Sequence, residues 1–238
     1  MAEARRQVRR GTGLLVTGGV DGALCPWGWV AQLGSRRMSS VSDPSRAYTP
    51  FEAEASGHVA AEGVALVVLE DAALARQRGA AIIGEMAGYA ATFDPRPGLH
   101  SPPGLRRAID LALTDASLQP SDVDVVFADG AGLPELDRQE ADAVSAVFGA
   151  AGVPVTAPKT MIGRTHSGGG ALDIAAALLS IRDSVIPPTV NVARERLAAG
   201  IDLDLDLVLE TRQSPVRTAL VIARGIGGFN SVAIIQAN

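Results

Sequence analysis

An α/β fold is predicted by three features of the sequence taken together. Short apolar runs rich in Val, Ile and Ala alternate with longer segments whose apolar residues recur at helical spacing. Several runs end in glycine-dense loops that feed straight into a helix, as strands of parallel sheets do. The chain of 238 residues is 47% hydrophobic but only 4% aromatic, so its core is built from small aliphatic side chains. Together these imply a largely parallel sheet with helices on both faces.

Taken in order, "MAEARRQVRRG" reads as the last turns of a surface helix leading into the strand Gly13–Thr17, a buried-type strand ending in glycines. "ALCPWGWVAQLGS" is a helix opened by Pro26 and closed near Gly34. The polar stretch Arg36–Ala61, rich in Ser, Pro and Gly, is a long excursion that lies on the surface or lines a site. "EGVALVVLED" is a continuous apolar strand of the kind buried on both faces, followed by the short helix "AALARQRG". Beyond Ala80 the alternation becomes regular. "AAIIGEMAGYAAT" is a strand, "PPGLRRAIDLALTDASL" a helix with proline at its start, and "DVDVVFADGAG" a strand leading to a glycine loop. "ELDRQEADAVSAVFG" is a helix ending at Gly149, "VPVTAPK" a strand, and "GGALDIAAALLSIRD" a helix apolar on most sides and so buried between layers. "DLDLVLE" and "RTALVIARGIGGFNSVAIIQ" supply three more strands. The ending "ALVIARGIGGFNSVAII" echoes the earlier pair "GLLVTGG…GVALVVLED", which suggests a duplicated α/β unit with only the second copy complete.

Composition excludes several classes. A net charge of −5 without a long basic run argues against nucleic acid as a partner. The single cysteine, Cys25, rules out an internal disulfide, and three histidines leave little for a metal site. No apolar run approaches the roughly 18–20 residues that span a bilayer. No segment of signal-peptide type precedes Gly18, so a cytoplasmic location is expected.

Three glycine loops follow strands, at Asp129–Gly132, Gly163–Gly170 and Gly225–Gly228, and all three could converge on one pocket. "GRTHSGGG" is not a phosphate-binding Walker loop, because no Lys followed by Ser or Thr closes it. His166 could serve as a general base, yet no Ser or Cys nucleophile is placed beside it, and a loop histidine is more often peripheral. Cys25, before Pro26 and two tryptophans, reads as a packed thiol. Glu135, Asp137, Glu140 and Asp142 read mainly as a solvated helix face with acids favoured in its first turn. Asp202, Asp204 and Asp206 alternate with apolar residues as in a half-exposed strand, whose stiffness denies them a metal. From the residues alone the glycine loop remains an active site, a phosphate cradle or the relic of an active site.

Longer segments carry a resemblance. "GGVDGALCPWGWVAQL", "YTPFEAEASGHVAAEGVALVVLE", "VFADGAGLPELDRQEADAVSAVFG", "VPVTAPKTMIGRTHSGGGALDIAAALLS" and "GGFNSVAII" follow, in order and over nearly the whole chain, the later part of a condensing enzyme of thiolase fold. Specifically, the chain resembles the chain-length factor, the ketosynthase-beta subunit of type II polyketide synthases. The resemblance implies that residues 1–78 end an N-terminal thiolase-like half and residues 79–238 form the C-terminal half. It also implies degenerate catalytic positions. Active ketosynthases carry a histidine in a His-Gly-Thr motif where this chain has Asp129, and another in a Lys-Ser-x-x-Gly-His motif where it has Arg164, with Lys159 retained. His166, two residues further on, does not fill that role by register. Active relatives carry a gating phenylalanine in a Gly-Phe-Gly-Gly motif where Ile226 stands, while Gly225, Gly227, Gly228 and Asn230 fit. Ile226, Gly228 and Asn230 are therefore the expected pocket-lining residues, and Asp129 and Arg164 are expected to form an ion pair. An arginine cannot exchange a proton usefully, and an aspartate opposes an enolate.

The implied function is a non-catalytic subunit that pairs with a ketosynthase-alpha and shapes the tunnel for a growing polyketide. No cofactor would be bound by the chain itself; phosphopantetheine would arrive on a partner acyl carrier protein. The first half of such a subunit is missing, so a separate chain supplying it is a further expected partner. Two alternatives stand beside this reading: an active acyltransferase using residues from another chain, and a scaffold remnant.

Overall fold

A computed structural model describes residues 1–95, 104–197 and 204–238. Helix α1 (Ala2–Arg9) leads to strand β1 (Leu14–Asp21), helix α2 (Pro26–Gly34), strand β2 (Gly63–Glu70) and helix α3 (Ala72–Gln77). Strand β3 (Glu85–Phe93), helix α4 (Gly104–Ala116), strand β4 (Val125–Phe127), helix α5 (Pro134–Phe148) and strand β5 (Pro154–Thr156) follow. The chain ends with helix α6 (His166–Asp183), strand β6 (Val185–Ile186), helix α7 (Arg194–Leu197), and strands β7 (Asp206–Leu207), β8 (Arg212–Gln213), β9 (Thr218–Arg224) and β10 (Phe229–Gln236).

The central sheet has six strands in the order β3-β10-β9-β4-β5-β7. It is mixed rather than largely parallel: β9, β4, β5 and β7 run parallel, but β10 is antiparallel to both β9 and β3. The cause is the tight connection at Gly225–Gly228. A loop that short joins neighbouring strands only as a hairpin, whereas a parallel pair needs a crossover of a dozen residues or more. Side chains along β9 and β10 divide cleanly between the two faces. Leu220, Ile222, Val232 and Ile234 meet Leu105, Ala108, Ile109 and Ala112 of α4. Ala219, Val221, Ala233 and Ile235 pack with Phe127 against Ile174 and Ala177 of α6.

Helix α6 is the middle layer, lying against β9 on one side and against both β1 and β2 on the other. The small residues of its first turns permit the close approach: a Cβ added to Gly19 of β1 would sit 2.3 Å from the Ser167 carbonyl oxygen. Strand β1 therefore does not stop at its glycines but continues to Asp21.

Strands β1 and β2 form an antiparallel pair of their own, with Val16 opposite Val68 and Val20 opposite Val64. The sequence expectation of burial on both faces of β2 fails here. Val64, Leu66 and Val68 are 54%, 62% and 59% exposed, because only the opposite face is covered, by α6. Val16 and Val20, opposite Val68 and Val64, share that uncovered face, and Trp27, Val30 and Leu33 of α2 are exposed as well. The expected acidic strand is likewise shortened to Asp206–Leu207. Asp206 pairs with Arg212 at 2.6 Å. Asp202, and the prolines expected to open α4, lie outside the described residues. Among the described residues no cluster of three or more His, Cys, Asp or Glu could hold a metal, and no helix is long and apolar enough to cross a membrane.

Phe127, with no exposed surface, fills the layer between the central sheet and α6. Phe127→Ala is expected to lower unfolding stability by about 3–5 kcal/mol through lost transfer energy and the cavity left behind. Urea denaturation followed by circular dichroism measures it.

Candidate functional site

The three glycine loops do meet. A cavity of about 370 Å³ is lined by Asp129 and Ala131 from the first, Arg164, Thr165, His166, Gly169 and Gly170 around the second, and Gly225, Ile226 and Gly228 from the third. They converge because β4, β5 and β9 are parallel, so their carboxyl ends deliver the loops to one edge of the sheet.

At the centre is the Asp129–Arg164 pair. Arg164 Nη2 donates to both carboxylate oxygens of Asp129, at 2.8 and 2.6 Å, and its Nη1 donates to the Asp129 carbonyl at 2.7 Å. The Arg224 amide adds a bond to Asp129 Oδ1 at 3.0 Å. Burial alone would push the Asp129 carboxyl up, but the neighbouring Arg164 and Lys159 charges hold it below the ordinary range. Burial works against the Arg164 charge, yet the Asp129 carboxylate outweighs it and raises Arg164 further. Neither group can trade a proton near neutral pH. Lys159 is held as firmly. Its Nζ donates to the Ala128 carbonyl at 2.7 Å and the Asp129 carbonyl at 3.1 Å, and it pairs with Asp173 Oδ2 at 2.8 Å.

Two carboxylates expected on a solvated helix face are instead buried. Asp137 and Glu140 have 0% and 1% exposure and stitch α5 to the first glycine loop. Glu140 accepts the amides of Asp129 and Gly130 at 2.6 and 2.9 Å. Asp137 accepts those of Phe51 and Gly132 at 3.0 and 3.2 Å. A loop of buried amides needs acceptors, and the turn of α5 below it supplies them. Glu135 stays on the solvent side with Arg138. The clue in the sequence is spacing: Asp137, Glu140, Ala141 and Val144 recur on the one face that packs inward. Burial, reinforced by the charges of Glu140 and Asp129, lifts the Asp137 carboxyl to about 7.

Of the expected pocket residues, Ile226 and Gly228 line the cavity. Ile226 is 66% exposed at the hairpin tip. Asn230 does not line it. It is fully buried behind the hairpin, donating to Asp94 Oδ1 at 2.8 Å and the Gly228 carbonyl at 3.1 Å, so its part is to hold the loop. His166 stands at the cavity wall, its Nε2 2.7 Å from Gln32 Oε1. The excursion between α2 and β2 contributes Arg37 and His58, which no motif in the sequence singles out. His58 is 2% exposed, and burial with the Arg164 charge pushes its imidazole down to about 4. Cys25 lies just outside α2 as a free, partly buried thiol, not among the cavity residues.

Two expectations follow. Arg164→Leu strands a buried carboxylate and should cost about 3–5 kcal/mol, while adding Asp129→Asn should recover part of that loss, measured by a denaturation double-mutant cycle. The second concerns pH. Folded Asp137 holds its proton to about pH 7 but unfolded aspartate releases it near 4, so its contribution falls as pH rises through that interval. His58 works in the opposite sense. Its folded imidazole titrates near 4 and its unfolded one near 6.5, so its contribution grows over that rise. Relative to the wild type, Asp137→Asn should make stability climb more steeply with pH, and His58→Phe less steeply, in urea midpoints taken at intervals from about pH 4 to 7.

Comparison with known proteins adds a second line. Residues 1–75 match the family described as beta-ketoacyl synthase, N-terminal domain, and residues 83–193 match beta-ketoacyl synthase, C-terminal domain. The chain is 56% identical over 237 residues to the actinorhodin polyketide putative beta-ketoacyl synthase 2 of Streptomyces coelicolor, covering 99% of this chain and 58% of that protein. It is 54% identical to the tetracenomycin polyketide synthase ketoacyl synthase beta subunit of Streptomyces glaucescens, covering 99% and 57%. Among solved structures, a type II ketosynthase bound to the hexaketide and in complex with its acyl-carrier protein superimposes with a TM-score of 0.88. That match has 30% identity and covers 99% of this chain and 59% of that one. The ishigamide ketosynthase/chain length factor matches with a TM-score of 0.84 at 28% identity, covering 100% and 56%. The chain thus spans somewhat under three fifths of the curated relatives' length.

Proposed function

The chain belongs to the beta-ketoacyl synthase family and has its thiolase-like fold, and on that premise we propose that it acts as a non-catalytic chain-length-factor subunit. In this reading it pairs in the cytoplasm with a catalytic ketosynthase-alpha and shapes the tunnel in which a polyketide lengthens. The polyketide is carried on the phosphopantetheine arm of an acyl carrier protein. Residues 1–78 close the first thiolase-like half and residues 79–238 make the second. The exposed face of β1, β2 and α2 is the surface on which the rest of a full-length subunit rests, in the same polypeptide or another.

The observation that carries the reading is the Asp129–Arg164 pair. A condensing site needs neutral donors that polarise a thioester carbonyl and stabilise an enolate as the extender unit loses carbon dioxide. Here one position is a carboxylate, which repels the developing oxyanion, and the other is a guanidinium whose donors are already engaged by that carboxylate and by backbone carbonyls. Lys159, bonded to Asp173 and two carbonyls, is equally occupied. The chain's one cysteine, Cys25, is not among the cavity residues. The names of the relatives point the same way, to beta subunits and to a ketosynthase/chain length factor pair.

The test is acyl labelling of the reconstituted complex with ketosynthase-alpha and acyl carrier protein, located by mass spectrometry. Label is expected on the partner's cysteine and none on this chain. Stoichiometric acylation of this chain would overturn the reading in favour of an active acyltransferase. A variant carrying both Asp129→His and Arg164→His should still fail to condense without the partner, in an assay of ketide formation.

A further inference from the structure

The cavity has a second polar corner, apart from the two ion pairs. The excursion between α2 and β2 is folded so that the His58 amide donates to the Arg37 carbonyl at 3.0 Å and the Ser39 amide to the His58 carbonyl at 2.9 Å. This carries Arg37 and His58 to the cavity wall, where His58 meets His166 edge to face with ring centroids 5.4 Å apart. The opening of α6 is already satisfied there: Asp21 Oδ2 accepts the amides of His166 and Ser167 at 2.6 and 3.2 Å. A ligand at this corner is therefore held by side chains, not by the helix terminus.

Charge around the cavity does not balance. The lining contains the cations Arg37, Lys159, Arg164 and Arg224 and the carboxylates Asp94, Asp129 and Asp173. Lys159 and Arg164 each hold a carboxylate. Arg224 is engaged by the Leu136 carbonyl, Gln139 and Asn230. The Arg37 guanidinium alone has no ion-pair or hydrogen-bond partner among the described residues. Beside it, His58 is buried with its Nε2 unpartnered. An unmatched cation and an unmatched buried imidazole share one corner of an open cavity.

We propose that this corner is a subsite for an oxyanion, a carboxylate or phosphate group, gripped by the Arg37 guanidinium and completed by the imidazoles of His58 and His166. A guanidinium presents parallel N–H donors that match either group in two-point fashion. The neighbouring wall, with Ile162, Leu172, Ile226 and Phe229, suits a ligand whose anionic head sits on a short apolar stem. The subsite also couples to protons. Burial and the charges of Arg164 and Arg37 keep the His166 imidazole below its usual range, against the pull of Asp21 and Asp129; His58 and the neutral Gln32 complete its surroundings. A bound anion opposes the two arginines, so His166 takes up a proton on binding. This inference stands apart from the proposed subunit role, because it requires neither the partner ketosynthase nor any condensation.

The experiment titrates the full chain, as purified, with sodium phosphate and separately with sodium acetate, with sodium chloride as the ionic-strength control. It reads the imidazole NMR signals assigned by His58→Phe and His166→Phe. Saturable shifts of both signals by phosphate or acetate, absent with chloride, are expected, and the stronger probe identifies the head group. Arg37→Gln should weaken that affinity about tenfold or more, as loss of a charged hydrogen bond does. Arg37→Lys, which keeps the charge and loses the fork, should fall between. Calorimetry in two buffers of different ionisation enthalpy should show net proton uptake. Absence of shifts with both probes, shifts equal to those in chloride, or unchanged affinity in folded Arg37→Gln would overturn the subsite.

Discussion

Placing a carboxylate at the buried end of a central strand costs several kcal/mol unless a cation meets it, and the architecture around the cavity follows from how Asp129 is met. Arg164 comes from the loop before α6, and Asp129 from the loop after β4. Their bond therefore ties together, beyond the sheet, the loops that follow the paired strands β4 and β5. The same guanidinium reaches the Asp129 carbonyl, while the Arg224 amide at the end of β9 reaches the carboxylate. One ion pair thus locks the ends of three elements. In an active condensing site those ends must be free to donate to a substrate; here they donate to one another.

The carboxylates beneath show how such a pair is supported. Glu140 and Asp137 take the backbone amides of the first glycine loop, so that loop is held from below as well as from across the cavity. Two acids near a third raise one another's cost of ionisation, and Asp137 responds by keeping its proton to about neutral pH. The loop is rigid at the expense of electrostatic tension directly under it.

How much of this is legible in the sequence varies with the range of the interaction. The alternation of strands and helices, the Pro26 and Gly149 boundaries and the convergence of the glycine loops are local patterns, and they carry over. The pairing of Asp129 with Arg164 is visible only through family resemblance, since no spacing relates residues that far apart. The sheet is less parallel than its apolar runs suggest, because such runs do not reveal strand direction. Asp137 and Glu140 look solvated because acids on a surface helix usually are; only the neighbouring Ala141 and Val144 betray the inward face. Arg37 and His58 are invisible, since an irregular excursion has no period from which to infer its contacts. Burial of β2 on both faces fails for a different reason. A continuous apolar run reads the same whether one face or both are covered, and among the described residues α6 covers one face of β2.

That uncovered surface has a cellular side. Adjacent exposed valines on a two-stranded ribbon are the kind of surface by which chaperones and proteases recognise unfinished protein. Under the proposed subunit role, the remainder of the subunit would withdraw that face from such recognition as it settles there.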